Sequence, residues 1–162
     1  MNIRPATQND LEQIVEIFNQ AIENGNSNAY TEKVTTSEKQ QWFESHTHQY
    51  FILVVEENEN IIGWTSISPY RKDRQALAAT AEISYYIHTD YQRKGIGKLL
   101  VNEAINLAIK KGIKNLFAIM LDTNEASKNL LLNINFQIWG HLPNIVEFPD
   151  RTCGQYYLGK NL

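Results

Sequence analysis

Cysteine is all but missing from this sequence. Its 162 residues include one, Cys153, which has no partner for an internal disulfide and supplies no cysteine-based zinc site. An unpaired thiol suits a reducing compartment, so the chain is expected in the cytoplasm. Long apolar runs are missing as well: no window approaches the roughly eighteen uninterrupted residues of a membrane-crossing helix. The start, Met1-Asn2-Ile3-Arg4-Pro5, has no apolar stretch of the signal-peptide kind. No membrane partner is expected. Nor is there a long Gly/Ser/Pro linker, a repeat of fixed period or a low-complexity tract, and residues 1–162 are expected to form one domain. Positive charge is not in excess: 15 Lys and Arg stand against 18 Asp and Glu, a formal net charge of −3. A domain built mainly to grip nucleic acid usually carries the opposite sign, and no nucleic-acid partner is expected. What remains is 43% hydrophobic and 20% charged, which excludes wholesale disorder. A chain of this length buries about two-thirds of its unfolded surface without staples.

The apolar spacing predicts the order of elements. Asn2 to Pro5 reads as a short strand. Thr7 or Asn9 caps a helix with apolar positions Leu11, Ile14, Val15, Phe18 and Ile22, ended by Gly25. A shorter helix is expected from Thr36 or Ser37 to about Ser45, burying Trp42 and Phe43. Phe51 to Val55, the polar turn Glu57-Asn58-Glu59-Asn60, and Ile61 to Ile67 read as an antiparallel hairpin. A further strand lies near Thr80 to His88. After Gly95 and Gly97 comes an amphipathic helix through Leu99, Leu100, Ala104, Leu107 and Ala108, stopped by Gly112. Leu116 to Leu121 reads as a buried strand, Glu125 to Ile134 as a helix, Phe136 to Trp139 as the start of a strand, and Tyr156-Tyr157-Leu158 as the last one. The expected class is α+β (mixed α/β), with a parallel β-α-β unit at its centre.

The segment from Ile83 to Leu100 carries the most chemistry. A β-rich run ends, a polar turn follows, and two glycines open a helix. Free N–H groups at a helix start, the helix dipole and the absence of a Cβ together make an anion site. Arg93, Lys94 and Lys98 add positive charge around it. The turn is not a P-loop, because Gly97-Lys98 is followed by Leu99 and position 92 is Gln. It is not the dinucleotide fingerprint either, because position 100 is Leu. What stands here is Gln92-x-x-Gly95-x-Gly97.

That pattern, after a strand and before an amphipathic helix, resembles the acyl-CoA pyrophosphate signature [RQ]-x-x-G-x-[GA] of the GCN5-related N-acetyltransferases. The resemblance extends over nearly the whole chain and is greatest to the phosphinothricin and methionine-sulfoximine N-acetyltransferases. Ile3-Arg4-Pro5-Ala6-Thr7, Arg74, Thr80-Ala81-Glu82, Tyr86-Ile87, Asn124, Ser127 and Gly140-x-Leu142-Pro143 carry it. It implies a mostly antiparallel mixed sheet of about six or seven strands flanked by about four helices, splayed at its centre to admit acetyl-CoA. The strand Tyr85-Tyr86-Ile87 would pair with the pantetheine amides as an added strand does. Gln92, Arg93, Lys94, Gly95, Ile96, Gly97 and Lys98 would hold the pyrophosphate on main-chain N–H groups. Asn124 and Ser127 would lie against the pantetheine arm, although Asn124 is equally well placed to cap a helix.

Acetyl transfer to an amine needs a proton acceptor and a polarised carbonyl. By resemblance Glu82 is the candidate general base, acting directly or through a water; its plain alternative is a surface glutamate on a strand. The N–H of Ile87 is the candidate donor to the thioester carbonyl. The resemblance implies direct transfer to a small amine, and close relatives often form dimers. Substrate contacts are expected from Glu82-Ile83-Ser84 and from the loop Pro69 to Arg74. There Arg74 is the candidate carboxylate clamp, with Arg71 in reserve, unless the loop is a solvated turn. The helix after Glu125 has no tyrosine to protonate the leaving thiolate, so that role stays unassigned. The family's Gly-Phe is Asn135-Phe136, where Asn tolerates the left-handed turn. Phe148-Pro149-Asp150-Arg151-Thr152 replaces the His-containing loop of the phosphinothricin enzymes. His46 and His48, two apart with no third ligand, read as surface or packing residues, and no metal is expected. Trp42, Trp64 and Trp139 read as scattered core positions without a ligand cage. Two other classes remain open: a peptide or protein N-acetyltransferase, and a non-catalytic acyl-CoA-binding domain.

Overall fold

The computed structural model describes residues 1–162. Strand β1 (Asn2–Pro5) pairs antiparallel with β2 (Phe51–Glu57), and β2 pairs with β3 (Asn60–Pro69) through a turn in which Asn58 and Glu59 both take left-handed backbone angles. Such two-residue turns match the twist of the strands they join. β3 then pairs antiparallel with β4 (Thr80–Ile87). The chain crosses over through helix α3 (Ile96–Lys110) to β5 (Asn115–Leu121), which lies parallel to β4. Helix α4 (Glu125–Leu132), β6 (Gln137–Glu147) and β7 (Thr152–Asn161) complete the chain. The sheet has seven strands in the order β1-β2-β3-β4-β5-β7-β6. The expected class and the parallel β4–β5 pair are both found. No helix is long and apolar enough to cross a membrane.

Two helices precede the hairpin. α1 (Leu11–Glu23) turns Leu11, Ile14, Val15, Ile17, Phe18 and Ile22 inward, the spacing of one helical face. α2 (Thr36–Glu44) is opened by a capping box in which Thr35 Oγ1 accepts from the Glu38 N–H at 3.2 Å. Cores form on both faces of the sheet: α3 packs on one with Leu100, Ala104 and Ala108, and α1 on the other around Trp64. The entry to α1 is tied down by Arg4, whose guanidinium donates to Asp10 at 2.7 and 2.9 Å and to Glu56 at 2.5 Å. That contact holds the nearly buried Asp10 carboxyl below its ordinary pKa, and β1 is thereby fastened to both α1 and β2.

Three expectations need correction. Trp42 and Phe43 are half-buried, and no residue of α2 is fully buried, because Trp42 faces an open cavity. Trp139 is 46% exposed, because β6 is an edge strand. The last strand is also longer than expected, Thr152–Asn161 where only Tyr156 to Leu158 was expected. Gly140, Pro143 and Asn144 are residue types that strands disfavour, yet they sit inside β6, where register shifts between Ile138/Gly140 and Leu142/Val146 mark bulges. Bulges accommodate such residues without ending the strand. Within β7, a Cβ on Gly154 would come within 2.5 Å of the Leu142 carbonyl.

Candidate active site

β4 and β5 part company at one point. Their pairing runs Thr80↔Asn115, Ala81↔Leu116, Glu82↔Phe117 and then stops, although both strands continue. Glu82 is therefore the last paired residue, at the apex of a V-shaped gap. On the other side of β4, His88 N–H donates to the Ile62 carbonyl at 3.0 Å. This bond fixes the phase of the β3–β4 ladder: Gly63 and Ile87 form a non-hydrogen-bonded pair, so the Ile87 main chain turns away from β3. By the same alternation the N–H and C=O groups of Ile83 and Tyr85 also face the gap. Gln92 Nε2 donates to the Ile87 carbonyl at 3.2 Å, while the Ile87 N–H, turned away from β3 and beyond the last β4–β5 pair, has no strand partner. Of the expected trio Tyr85-Tyr86-Ile87, the outer two present main chain to the gap. Tyr86 bonds to β3 and contributes its ring.

One mouth of the gap is the glycine turn. Arg93 and Gly95 both take left-handed backbone angles, φ 59° and 82°, and α3 begins at Ile96. The first main-chain bond of the turn is Leu99 N–H to the Gly95 carbonyl at 3.1 Å. The six N–H groups from Arg93 to Lys98 have no partner before it. That is a run of donors at a helix start, with three cationic side chains beside it. Gly97 is needed for closeness: a Cβ there would lie 3.1 Å from Leu130 Cδ1 of α4. The turn, Ile83 to Ile87, Asn124 and Ser127 enclose a cavity of about 350 Å³. Asn124 does cap α4, accepting from the Ser127 N–H at 3.1 Å, while it also lines this cavity. Ser127 Oγ is hydrogen-bonded to the Tyr85 hydroxyl, a contact from β4 across to α4. Burial pushes that phenol up to about 12.

A second cavity, about 590 Å³, lies on the α1 face of β4 and shares Ser27, Ser84, Tyr86, Ile119 and Met120 with the first. Glu82 lines it. Burial raises the Glu82 carboxyl above the ordinary carboxylate range, so it holds a proton more readily than a surface acid does. Its cross-strand partner is Ser68, whose Oγ lies 2.9 Å from His46 Nε2; His46 Nδ1 lies 2.7 Å from the Trp42 carbonyl. A carbonyl only accepts, so Nδ1 carries the proton and Nε2 accepts from the Ser68 hydroxyl. Burial lowers the His46 pKa and keeps the ring neutral. His46 is thus a packed histidine, as expected, but its place is directly behind this cavity.

Apart from Tyr86, the rest of the lining carries no signature in the sequence. Phe18, Tyr30, Trp42, Trp64 and Tyr86 form an aromatic wall, with Phe18–Tyr30 centroids 5.1 Å apart, Trp42–Trp64 5.5 Å and Trp64–Tyr86 4.8 Å. Two of the three tryptophans therefore do belong to a ligand-sized enclosure. The only local signal was the three-residue spacing of Lys39 and Trp42, which puts both on one side of α2. Arg71 and Arg74 are exposed, and neither lines either cavity. Ile83 faces the first cavity and Ser84 both. Cys153 is buried against Leu121 and Val146, away from the gap.

Residues 11–136 match the model of the Acetyltransferase (GNAT) family. The chain belongs to that family. Over 163 aligned positions it is 35% identical to YwnH of Bacillus subtilis, covering 100% of this chain and 99% of that one. It is 30% identical to an L-methionine sulfoximine/L-methionine sulfone acetyltransferase of Pseudomonas aeruginosa, covering 99% of this chain and 94% of that one. Among solved structures, yncA from Salmonella typhimurium, determined with its cofactor acetyl-CoA, superposes with a TM-score of 0.92 at 27% identity, covering 99% and 93% of the two chains. This GNAT acetyltransferase takes acetyl-CoA as its acetyl donor. The gap and the turn fit that molecule on chemical grounds: an unpartnered N–H ladder suits a pyrophosphate, and a free strand edge suits the amides of the pantetheine arm.

Proposed function

We propose that this acetyltransferase transfers acetyl to the free amino group of a small amino-acid-like acceptor by direct attack on the thioester. The observation that carries the reading is the position of Glu82, at the apex of the gap and in the wall of an aromatic cavity that shares five lining residues with the cofactor cavity. The acceptor amine enters from the aromatic side. As its nitrogen forms the bond to the acetyl carbon, the carbon–sulfur bond breaks. The amine's proton passes to the Glu82 carboxylate, directly or through one water, and the departing thiolate takes a proton from solvent. The Ile87 N–H, which has no strand partner, supports a role in holding the carbonyl oxygen as it gains charge. The activity named for the Pseudomonas relative supports an amino-acid-like acceptor. The lone unpaired thiol suits the cytoplasm.

A panel read by free-thiol release from acetyl-CoA tests this. Turnover is expected with L-methionine sulfoximine, L-methionine sulfone or phosphinothricin, and turnover with peptides alone would contradict it. The outer strand β6 leaves Ile138, Trp139, Leu142 and Ile145 exposed along the sheet edge, which supports pairing of two copies. Light scattering is expected to give twice the chain mass of 18.7 kDa; a monomer at assay concentration would refute the pairing.

A further inference from the structure

We infer that Lys39 and Asn28 hold the anionic group of the acetyl acceptor, a task that the sequence suggested for Arg74. The inference rests on the amino-acid reading of the acceptor cavity. Lys39 is the only Lys or Arg that lines that cavity, and Glu82 is its only carboxylate. The Lys39 ammonium lies 4.4 Å from the Phe18 ring centroid, 4.9 Å from that of Tyr30 and 5.6 Å from that of Trp42. Its nearest polar partner is the Tyr30 hydroxyl at 3.3 Å. Lys33 and Lys128 pair with Glu23 and Glu125, whereas Lys39 forms no ion pair. Aromatic faces hold a cation in place without neutralising it. An ammonium has three donors, and two of these remain for a ligand.

Asn28 supplies a second, independent sign. Its Oδ1 accepts from the Tyr30 N–H at 3.0 Å, which fixes the orientation of the amide. The other end, Nδ2, is buried and has no hydrogen-bond partner. The amide stands beside the Tyr86 hydroxyl and favours its ionised form against the burial, but without the geometry of a hydrogen bond. A buried donor left unpaired is costly. Here it lines the same cavity as Lys39, so the cost is relieved when a ligand brings an acceptor. An amide N–H and an ammonium near one aromatic wall are short of acceptors, while Glu82 is short of a donor. A free amino acid carries both missing halves: its amine answers Glu82, and its carboxylate answers Lys39 and Asn28. Arg74 stands exposed outside the lining.

The test uses the amino acid that the wild type acetylates fastest, together with its carboxamide. Lys39→Met keeps the methylene contacts and removes the charge. It is expected to raise KM for the free acid about tenfold to a hundredfold. KM for the carboxamide and for acetyl-CoA should stay within about twofold of wild type. Lys39→Arg is expected to recover most of the loss. Asn28→Asp keeps the bond to Tyr30 but sets a negative charge against the substrate's own, and it should raise KM for the acid alone. Equal effects of Lys39→Met on acid and carboxamide would reduce Lys39 to packing and overturn the assignment, as would no effect on either. A selective KM rise in Arg74→Met with none in Lys39→Met would return the role to Arg74. A wild type that acetylates amides or simple amines but no free amino acid defeats the amino-acid reading itself, and this assignment with it.

Discussion

Replacing Glu82 with Gln is expected to lower kcat by about 10²–10³-fold while leaving the affinity for acetyl-CoA unchanged. Glutamine keeps the size and the hydrogen bonding of the side chain but cannot take the amine's proton. The position makes the effect selective: Glu82 lines the acceptor cavity and not the cavity that contains the glycine turn. The pH profile provides a second readout. The carboxyl is held above its ordinary pKa by burial, and only the deprotonated form can act as base. Activity is therefore full at high pH and falls as pH drops through the raised pKa, so kcat/KM has an acidic limb above the ordinary glutamate range. Glu82→Gln should remove that limb. Isothermal titration with acetyl-CoA and a pH series of initial rates check both halves. A variant that keeps wild-type kcat removes Glu82 from the chemistry.

Gly95→Val is expected to raise KM for acetyl-CoA by about a hundredfold, with a smaller change in the turnover of bound complex. Gly95 has φ 82°, a backbone angle that a β-branched residue adopts only at a cost of about 1–3 kcal/mol. No atom lies within 4 Å of where its Cβ would stand, so the penalty comes from the backbone and not from crowding. The strained turn relaxes away from the left-handed angle, and the run of N–H groups from Arg93 to Lys98 no longer converges. Titration of the variant with acetyl-CoA measures the loss, and melting without ligand separates it from unfolding. Unaltered affinity would mean that the turn does not hold the pyrophosphate.

The parts of this protein that could be read from sequence are those set by neighbours in the chain. The glycine turn is one: strand, polar turn and amphipathic helix are contiguous from Ile83 to Ala108. Asn135 is another; it takes φ 67° after α4, and Phe136 N–H closes the turn on the Leu131 carbonyl at 3.0 Å. The ends of β6 and β7 were not legible, because Gly140, Pro143, Asn144 and Gly154 are residue types that strands disfavour and are absorbed by bulges and close strand contacts. The acceptor cavity was least legible. Phe18, Asn28, Lys39, Trp64 and Glu82 come from five separated segments, each with an ordinary local reading. Lys39 looks like a solvated helix lysine and Trp42 like a core residue until the fold brings Phe18 and Tyr30 beside them. The alternation that turns Ile87 towards the gap depends on its pairing with Gly63, a long-range contact that no local pattern encodes.

Direct transfer in the gap between β4 and β5 is tested most closely by mass spectrometry with acetyl-CoA carrying a deuterated acetyl group, incubated with the wild-type enzyme and L-methionine sulfone. The account predicts labelled acetyl on the α-amino nitrogen of the product, one free thiol for each amide formed, and no label on the protein at any time before completion. Label accumulating on the protein, at Cys153 or elsewhere, or thiol release without a labelled amide, would contradict it.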